Sequence, residues 1–208
     1  MAVISLIGMS GAGKTYWSKQ LTAAGWERIC CDDLIEERLR AIMPQTTTGI
    51  QAVADWLGQP YDTGYQERQQ QYLDAEIAVM TEVLNNLEQS AERNCVIDTT
   101  GSVIYTGEAL CQQLRQRTRV VYIALSDAVM ANMVERYLTD PKPVLWIDQF
   151  VQGPNQTMHD AVQVCYPKLV AQRAQLYQQC AHITLLYTAT SAAGFTLNDF
   201  LHAVLQYK

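Results

Sequence analysis

The chain has 208 residues, 49% of them hydrophobic, and its 15 basic against 21 acidic side chains leave a formal charge of −6. That length suits one domain, or one domain with an inserted lid, and carries enough apolar residues to bury a core without disulfide or metal staples. The acidic balance argues against a nucleic-acid partner, which normally calls for a basic footprint. No stretch approaches the roughly 18 apolar residues of a membrane span.

A buried parallel strand is predicted over Ala2–Ile7, an apolar run ended by Gly8. Lys14–Ala24 reads as a helix stopped by Gly25, and Glu27–Cys31 as a weak second strand. Asp32 has the chemistry of an N-cap for a helix reaching about Ile42, before Pro44. From Pro44 to Tyr65 the chain is punctuated by Thr46, Thr47, Thr48, Gly49, Gly58, Pro60 and Gly64, and reads as irregular. Gln66–Glu88 is a long polar-faced helical pattern, and Cys95–Ile97 a third strand leading to Asp98. A helix over Glu108–Gln116, a strand over Val120–Leu125 and a helix over Asp127–Leu138 follow. Pro141, Pro143, Gly153 and Pro154 then interrupt regular structure and mark a mobile loop. A helix over Thr157–Cys180, a fifth strand over His182–Tyr187 and a closing helix over Leu197–Gln206 complete the order. Strands separated by helices five times over predict an α/β fold with a five-stranded parallel sheet.

Six cysteines (Cys30, Cys31, Cys95, Cys111, Cys165 and Cys180) form no Cys-x-x-Cys pair, and only three histidines accompany them. No zinc spacing results, and the thiols read as reduced and structural. No basic segment precedes the first apolar run, so a secretory leader is not expected and the cytoplasm is the expected compartment.

The chemistry begins at Gly8-Met9-Ser10-Gly11-Ala12-Gly13-Lys14-Thr15, which fits the phosphate-binding pattern Gly-x-x-x-x-Gly-Lys-[Ser/Thr] without a mismatch. Glycines let the backbone curl so that its N–H groups converge on a phosphate, and the following helix directs its positive end there. Lys14 would reach the β- and γ-phosphates, Thr15 would ligate Mg²⁺, and Tyr16 follows at the loop's exit. A strand before the motif and a helix after it are what that mechanism requires. Cys95-Val96-Ile97-Asp98 is an apolar strand ending in a carboxylate, the position from which a P-loop protein orients a magnesium-bound water, and the metal role is the expected one; the alternative is a cap on the next turn with Thr99 and Thr100. No third acidic motif of a motor is evident, and the chain is short for one. Mg·ATP is the expected cofactor and a small kinase the expected activity.

These features resemble shikimate kinases, within the nucleoside-monophosphate-kinase-like branch of P-loop proteins. The resemblance covers most of the chain unevenly. It implies a three-layer P-loop fold in one domain over 1–208, with a variable acceptor segment at about 44–90 and a lid at about 136–156. The family's Asp-x-Asp-x-x-Ile-Glu has its counterpart in Cys30-Cys31-Asp32-Asp33-Leu34-Ile35-Glu36. Asp32 stands where the family holds substrate hydroxyls and places its candidate base. Cys30 replaces the acidic residue of the metal shell. The family's glycine turn becomes Thr99-Thr100-Gly101-Ser102, assigning Gly101 and Ser102 to the acceptor. Its Phe-Arg-x-x-Glu finds its best counterpart in Glu67-Arg68-Gln69-Gln70-Gln71, assigning Arg68 to a substrate carboxylate. In the lid, Arg136 fits the first arginine, and Lys142 replaces the second, keeping charge without the bidentate fork. Gln172-Arg173-Ala174-Gln175-Leu176-Tyr177 matches Arg-x-x-Leu-Tyr, assigning Arg173 to the same carboxylate.

The expected reaction is transfer of the γ-phosphate of Mg·ATP to a hydroxyl of a small anionic acceptor, shikimate first. Lys14, Arg136 and Lys142 would neutralise charge and Asp32 would orient the hydroxyl. Gluconate, adenylylsulfate and nucleotide acceptors share the cradle, and Trp56 and Tyr61 could line an altered pocket or simply pack. A regulatory ATP-binding protein with little catalysis is an alternative of another class, and a polynucleotide or tRNA kinase a third. A monomer or homodimer is expected.

Overall fold

The computed structural model describes residues 2–44, 48–87, 93–131, 133–139 and 143–206. Five strands, β1 (Val3–Ile7), β2 (Glu27–Cys30), β3 (Cys95–Asp98), β4 (Arg119–Ala124) and β5 (Ile183–Leu186), form one sheet in the order β2-β3-β1-β4-β5. Every pairing is parallel; Ile4 lies opposite Val96 on one side and Arg119 on the other, and Cys30 pairs with Asp98. Parallel neighbours need long crossovers, and helices supply them. The helices are α1 (Lys14–Ala23), α2 (Cys31–Leu39), α3 (Ile50–Leu57), α4 (Tyr65–Asn86), α5 (Glu108–Arg117), α6 (Asp127–Ala131), α7 (Met133–Thr139), α8 (Met158–Cys180), α9 (Tyr187–Thr190) and α10 (Leu197–Leu205).

Central strands carry near-continuous apolar runs because both faces are covered. Ile4, Leu6, Ile7, Val96, Ile97, Val121 and Ile123 are fully buried. On the α1 side, Trp17 stacks flat on Phe200 at 4.5 Å and joins α1 to α10. On α8, a Thr157–Asp160 capping box starts the helix, and Arg115 donates to the carbonyls of Cys180 (2.8 Å) and Ala181 (2.7 Å) at its end. Both ends of the longest helix are thereby satisfied.

Three sequence expectations change. The irregular Pro44–Tyr65 stretch contains α3, whose Ala52, Val53 and Leu57 are buried. Gly49 (φ 89°) and Gly58 (φ 74°) flank it, so the glycines that read as loop punctuation are its boundaries. Asp32 is not an N-cap: Cys30 holds that position, and Asp32 lies inside the first turn of α2. The loop predicted to be mobile is anchored over residues 144–147. There the Tyr65 hydroxyl donates to the Val144 carbonyl (2.8 Å), and Gln69 Oε1 accepts from the N–H groups of Trp146 (2.7 Å) and Ile147 (3.1 Å). All six cysteines are free thiols. Among the described residues no helix is long and apolar enough to cross a membrane.

Candidate active site

β1, β2 and β3 all end at the same edge of the sheet, and the chemistry leaves from those three ends. Gly8 follows β1 with φ 141°, and a Cβ there would lie 2.7 Å from the Ile123 carbonyl oxygen, so no side chain fits. Ala12 N–H closes the next turn on the Met9 carbonyl at 3.2 Å. Gly13 is the N-cap of α1 with φ 94°, and no side chain caps that helix. Its first-turn N–H groups are therefore the orphan donors an anion satisfies. Lys14 is buried, and its Nζ donates to the Gly8 (2.8 Å) and Met9 (3.1 Å) carbonyls. Burial lowers the Lys14 pKa from its ordinary value, while Asp32 and Asp98 oppose that shift. A curled glycine loop, an uncapped helix start and a buried ammonium fit the phosphates of ATP.

A cavity of about 550 Å³ opens above this loop. Ser10, Gly11, Gly13, Lys14, Thr15 and Tyr16 border one end, and Asp32, Thr100, Gly101, Ser102 and Arg173 the other. The structure thus brings together most of the residues singled out from sequence. Gly8 and Ala12 shape the loop from behind. The side chain of Arg136, on α7, and all of Lys142 lie outside the described residues.

Asp32 reaches the cavity from α2, and desolvation raises its pKa to about 6 against the pull of Lys14. Across from it, the Thr99–Ser102 turn is tied down at every residue. Thr99 Oγ1 donates to the Leu6 carbonyl (2.7 Å), Thr100 Oγ1 donates to Glu76 Oε1, and Ser102 N–H donates to Thr100 Oγ1 (3.1 Å). The Gly101 carbonyl accepts from the Tyr177 hydroxyl and from Arg173 Nη1 (3.4 Å). A Cβ on Gly101 would meet nothing closer than 3.6 Å, so this glycine serves through its carbonyl rather than its conformational freedom. Arg173 is buried; its Nη2 donates to the Leu145 carbonyl at 2.7 Å, and its guanidinium lies 5.2 Å over the Tyr105 ring.

Two assignments need correction. Asp98 does not border the cavity. It is 2% exposed, and its Oδ2 is held by Arg28 Nη2 (2.6 Å) and Ser18 Oγ (2.9 Å). A carboxylate so paired stands behind Lys14, leaving Thr15 as the side chain that would hold Mg²⁺ directly alongside phosphate oxygens and water. Arg68 is likewise turned away: Nε donates to the Leu57 carbonyl (3.0 Å) and Nη1 to that of Thr63 (3.1 Å). Both glycines beside it, Gly58 and Gly64, leave room for this guanidinium; a Cβ would come within 3.1 Å and 2.9 Å of its nitrogens. It therefore braces the α3–α4 junction. Trp56 packs on the core and Tyr61 tilts against Phe150 at 5.9 Å; neither borders the cavity.

Sequence reasoning missed Ile50, Tyr72 and Glu76. Ile50 and Tyr72 border the cavity, and Glu76 lies directly behind the hydroxyls of Thr100 and Ser102 with no solvent exposure. The signal was present: Tyr72-Leu73-Asp74-Ala75-Glu76 repeats the aromatic-to-glutamate spacing of Phe-Arg-x-x-Glu, with Leu73 in place of the arginine. Aligning on Arg68 hid it.

A model of the AAA domain family matches residues 3–142. No curated protein sequence matches the chain. Among solved structures, shikimate kinase from Bacteroides thetaiotaomicron superposes with a TM-score of 0.60 at 17% identity, covering 99% of each chain. Shikimate kinase from Acinetobacter baumannii in complex with shikimate gives 0.59 at 22%, covering 99% of this chain and 92% of that one. The tunicamycin resistance protein of Deinococcus radiodurans gives 0.53 at 12%, covering 100% and 96%. At these identities the likeness speaks for the fold. The matched range takes in the phosphate loop, Asp32 and the Thr99–Ser102 turn, and by it the chain belongs to the AAA domain family, built on the P-loop kinase fold.

Proposed function

We propose that the protein is an ATP-dependent phosphotransferase that moves the γ-phosphoryl group to a hydroxyl of a small molecule. One observation carries this reading: the phosphate loop and the Asp32 carboxyl open onto the same cavity. Phosphoryl transfer needs positioning and charge neutralisation more than covalent help from the protein. The loop N–H groups and Lys14 would hold the phosphates, and Mg²⁺, held in part by Thr15, would supply further neutralising charge. Asp32 would accept the proton of the attacking hydroxyl; its raised pKa keeps a basic carboxylate available near neutral pH. The walls around Val144 and Tyr137 would limit water, which competes as an acceptor.

Shikimate is the reference acceptor. Asp32 and Arg173 stand at the cavity in support of it, whereas Arg68 offers nothing to a carboxylate. The test is release of ADP from Mg·ATP, followed with a coupled assay over shikimate, gluconate and nucleosides. Turnover that disappears in Asp32→Asn supports the reading. Tight ATP binding with no acceptor-dependent ADP release would transfer the argument to a regulatory nucleotide switch.

A further inference from the structure

Positive charge gathers at the end of the sheet away from the phosphate loop. There β1, β4 and β5 begin, and Val3, Arg115, Arg117, Thr118, Arg119 and His182 border a recess of about 340 Å³. No acidic side chain lines it, in a chain whose formal charge is −6. Arg115 is fixed in place: its Nη1 donates to the Gln179 (3.2 Å), Cys180 (2.8 Å) and Ala181 (2.7 Å) carbonyls at the end of α8. Capping that helix uses one nitrogen. Nε and Nη2 make no hydrogen bond among the described residues, and the guanidinium keeps its charge. Arg117 adds a second guanidinium, whose Nη1 donates to the Leu84 carbonyl at 2.9 Å. Arg119, opposite Ile4 in the sheet, is half-buried, and its side chain makes neither a hydrogen bond nor an ion pair among the described residues. Removing a cation from water without a counter-ion is costly, and an anion beside it offsets that cost. His182 completes the set with a neutral donor. Burial, then the charges of Arg115 and Arg119, hold its pKa below the ordinary value, so the ring is neutral at neutral pH. Its Nδ1 accepts from the Val120 N–H at 3.1 Å, which leaves the ring proton on Nε2.

We infer that this recess binds a small phosphate-class oxyanion, held by the Arg115 and Arg119 guanidiniums and the His182 Nε2–H. A guanidinium already fixed by three carbonyls loses little freedom on pairing, and its planar fork matches two phosphate oxygens at once. The site lies where β1 and β4 start, whereas the phosphate loop leaves the far end of β1. The inference therefore stands independently of the phosphotransferase reading.

Pyrophosphate is the probe, added to the full chain at about 0.15 M salt, where long-range attraction between exposed charges is largely screened. The chain has three histidines, His159, His182 and His202, so imidazole signals in an NMR titration report three places separately. The His182 signals should shift saturably while those of His159 and His202 stay in place. Arg119→Gln removes a guanidinium that has no partner to lose, so Tm should hold while the affinity read at His182 falls at least about fivefold. A parallel titration with ADP separates two sources of the same chemistry. A His182 shift as strong as that with pyrophosphate identifies a nucleotide's diphosphate, and a shift with pyrophosphate alone identifies a free oxyanion. Three outcomes overturn the inference: no saturable His182 shift up to about 10 mM pyrophosphate, equal movement of all three histidines, or unchanged affinity in Arg119→Gln. None of them depends on turnover, so failure here leaves the kinase reading intact.

Discussion

Lys14 is the side chain whose loss the reaction should feel most. Its ammonium is buried against the loop carbonyls, ready to exchange them for phosphate oxygens. Lys14→Ala is expected to lower kcat by about 10²–10³, the cost of removing one preorganised donor from a developing charge; steady-state kinetics on the working acceptor would measure it. Asp32 makes a pH prediction. Its carboxyl is basic above about pH 6, so kcat/KM should rise through that region and level off. Lys14 and Arg28 pull that midpoint down, and Asp98 and Asp33 push it up. The rising limb should vanish in Asp32→Asn together with activity. Glu76 makes a stability prediction of definite sign. Burial raises its pKa to about 7, opposed by Ser102 and Thr100, with Asp32 adding to the rise and Arg173 opposing it. The folded state then holds a proton that the unfolded chain gives up near 4.5, so this contribution is full below pH 4.5 and lost as pH rises through 7. Relative to wild type, Glu76→Gln should flatten the fall of Tm between pH 5 and 8, a difference on the order of 3 kcal/mol. An unchanged difference across that window would count against a titrating Glu76.

At the scale of elements, α4 is the member that joins architecture to chemistry. Its first turns brace the α3 junction through Arg68 and pin residues 144–147 through Tyr65 and Gln69. Two turns later it brings Tyr72 to the cavity, and one turn beyond that it sets Glu76 behind the Thr100 hydroxyl. Arg68→Ala should therefore cost about 1–3 kcal/mol in urea unfolding, from carbonyls left without their donor, with acceptor KM within twofold of wild type. A large rise in KM at unchanged stability would return Arg68 to substrate binding. Ile147 and Asp148 adopt left-handed backbone at φ 43° and 60°, beside the Gln69 clasp. A β-branched residue there costs free energy, which the clasp and the burial of Trp146 offset.

Taken whole, the molecule is a sheet that gathers three strand ends beneath one cavity. A ligand that binds the folded state alone stabilises it, so Mg·ATP at a hundred times its Kd should add about 2.7 kcal/mol and raise Tm by roughly 5–10 °C. Differential scanning fluorimetry reads this directly, and no shift at saturating concentrations would remove the nucleotide reading. The solved structures of like fold include shikimate kinases and a tunicamycin resistance protein. That likeness speaks for the fold alone, and on the proposed reading the choice of acceptor would lie with side chains at one end of the cavity.

The phosphate loop, the five parallel strands and the order of the long helices were legible in the chain itself. Each rests on local physics: a glycine spacing that only a curled loop explains, apolar runs of strand length, and helical periodicity between them. That Asp32 and Arg173 border the cavity was legible through short motifs, Cys30 being the departure in the first. Long-range contacts decided the rest. Arg68 was read as a substrate ligand because nothing local reveals that carbonyls at Leu57 and Thr63 would claim it. Asp98 was read as orienting a magnesium-bound water because the Arg28 that pairs with it lies 70 residues away. Glu76 looked like one more charge on a polar helix face, and only its packing against the β3 turn made it a buried carboxyl behind two hydroxyls. Periodicity and motif act within a few residues, whereas charge pairing and desolvation depend on neighbours that the tertiary fold alone brings together.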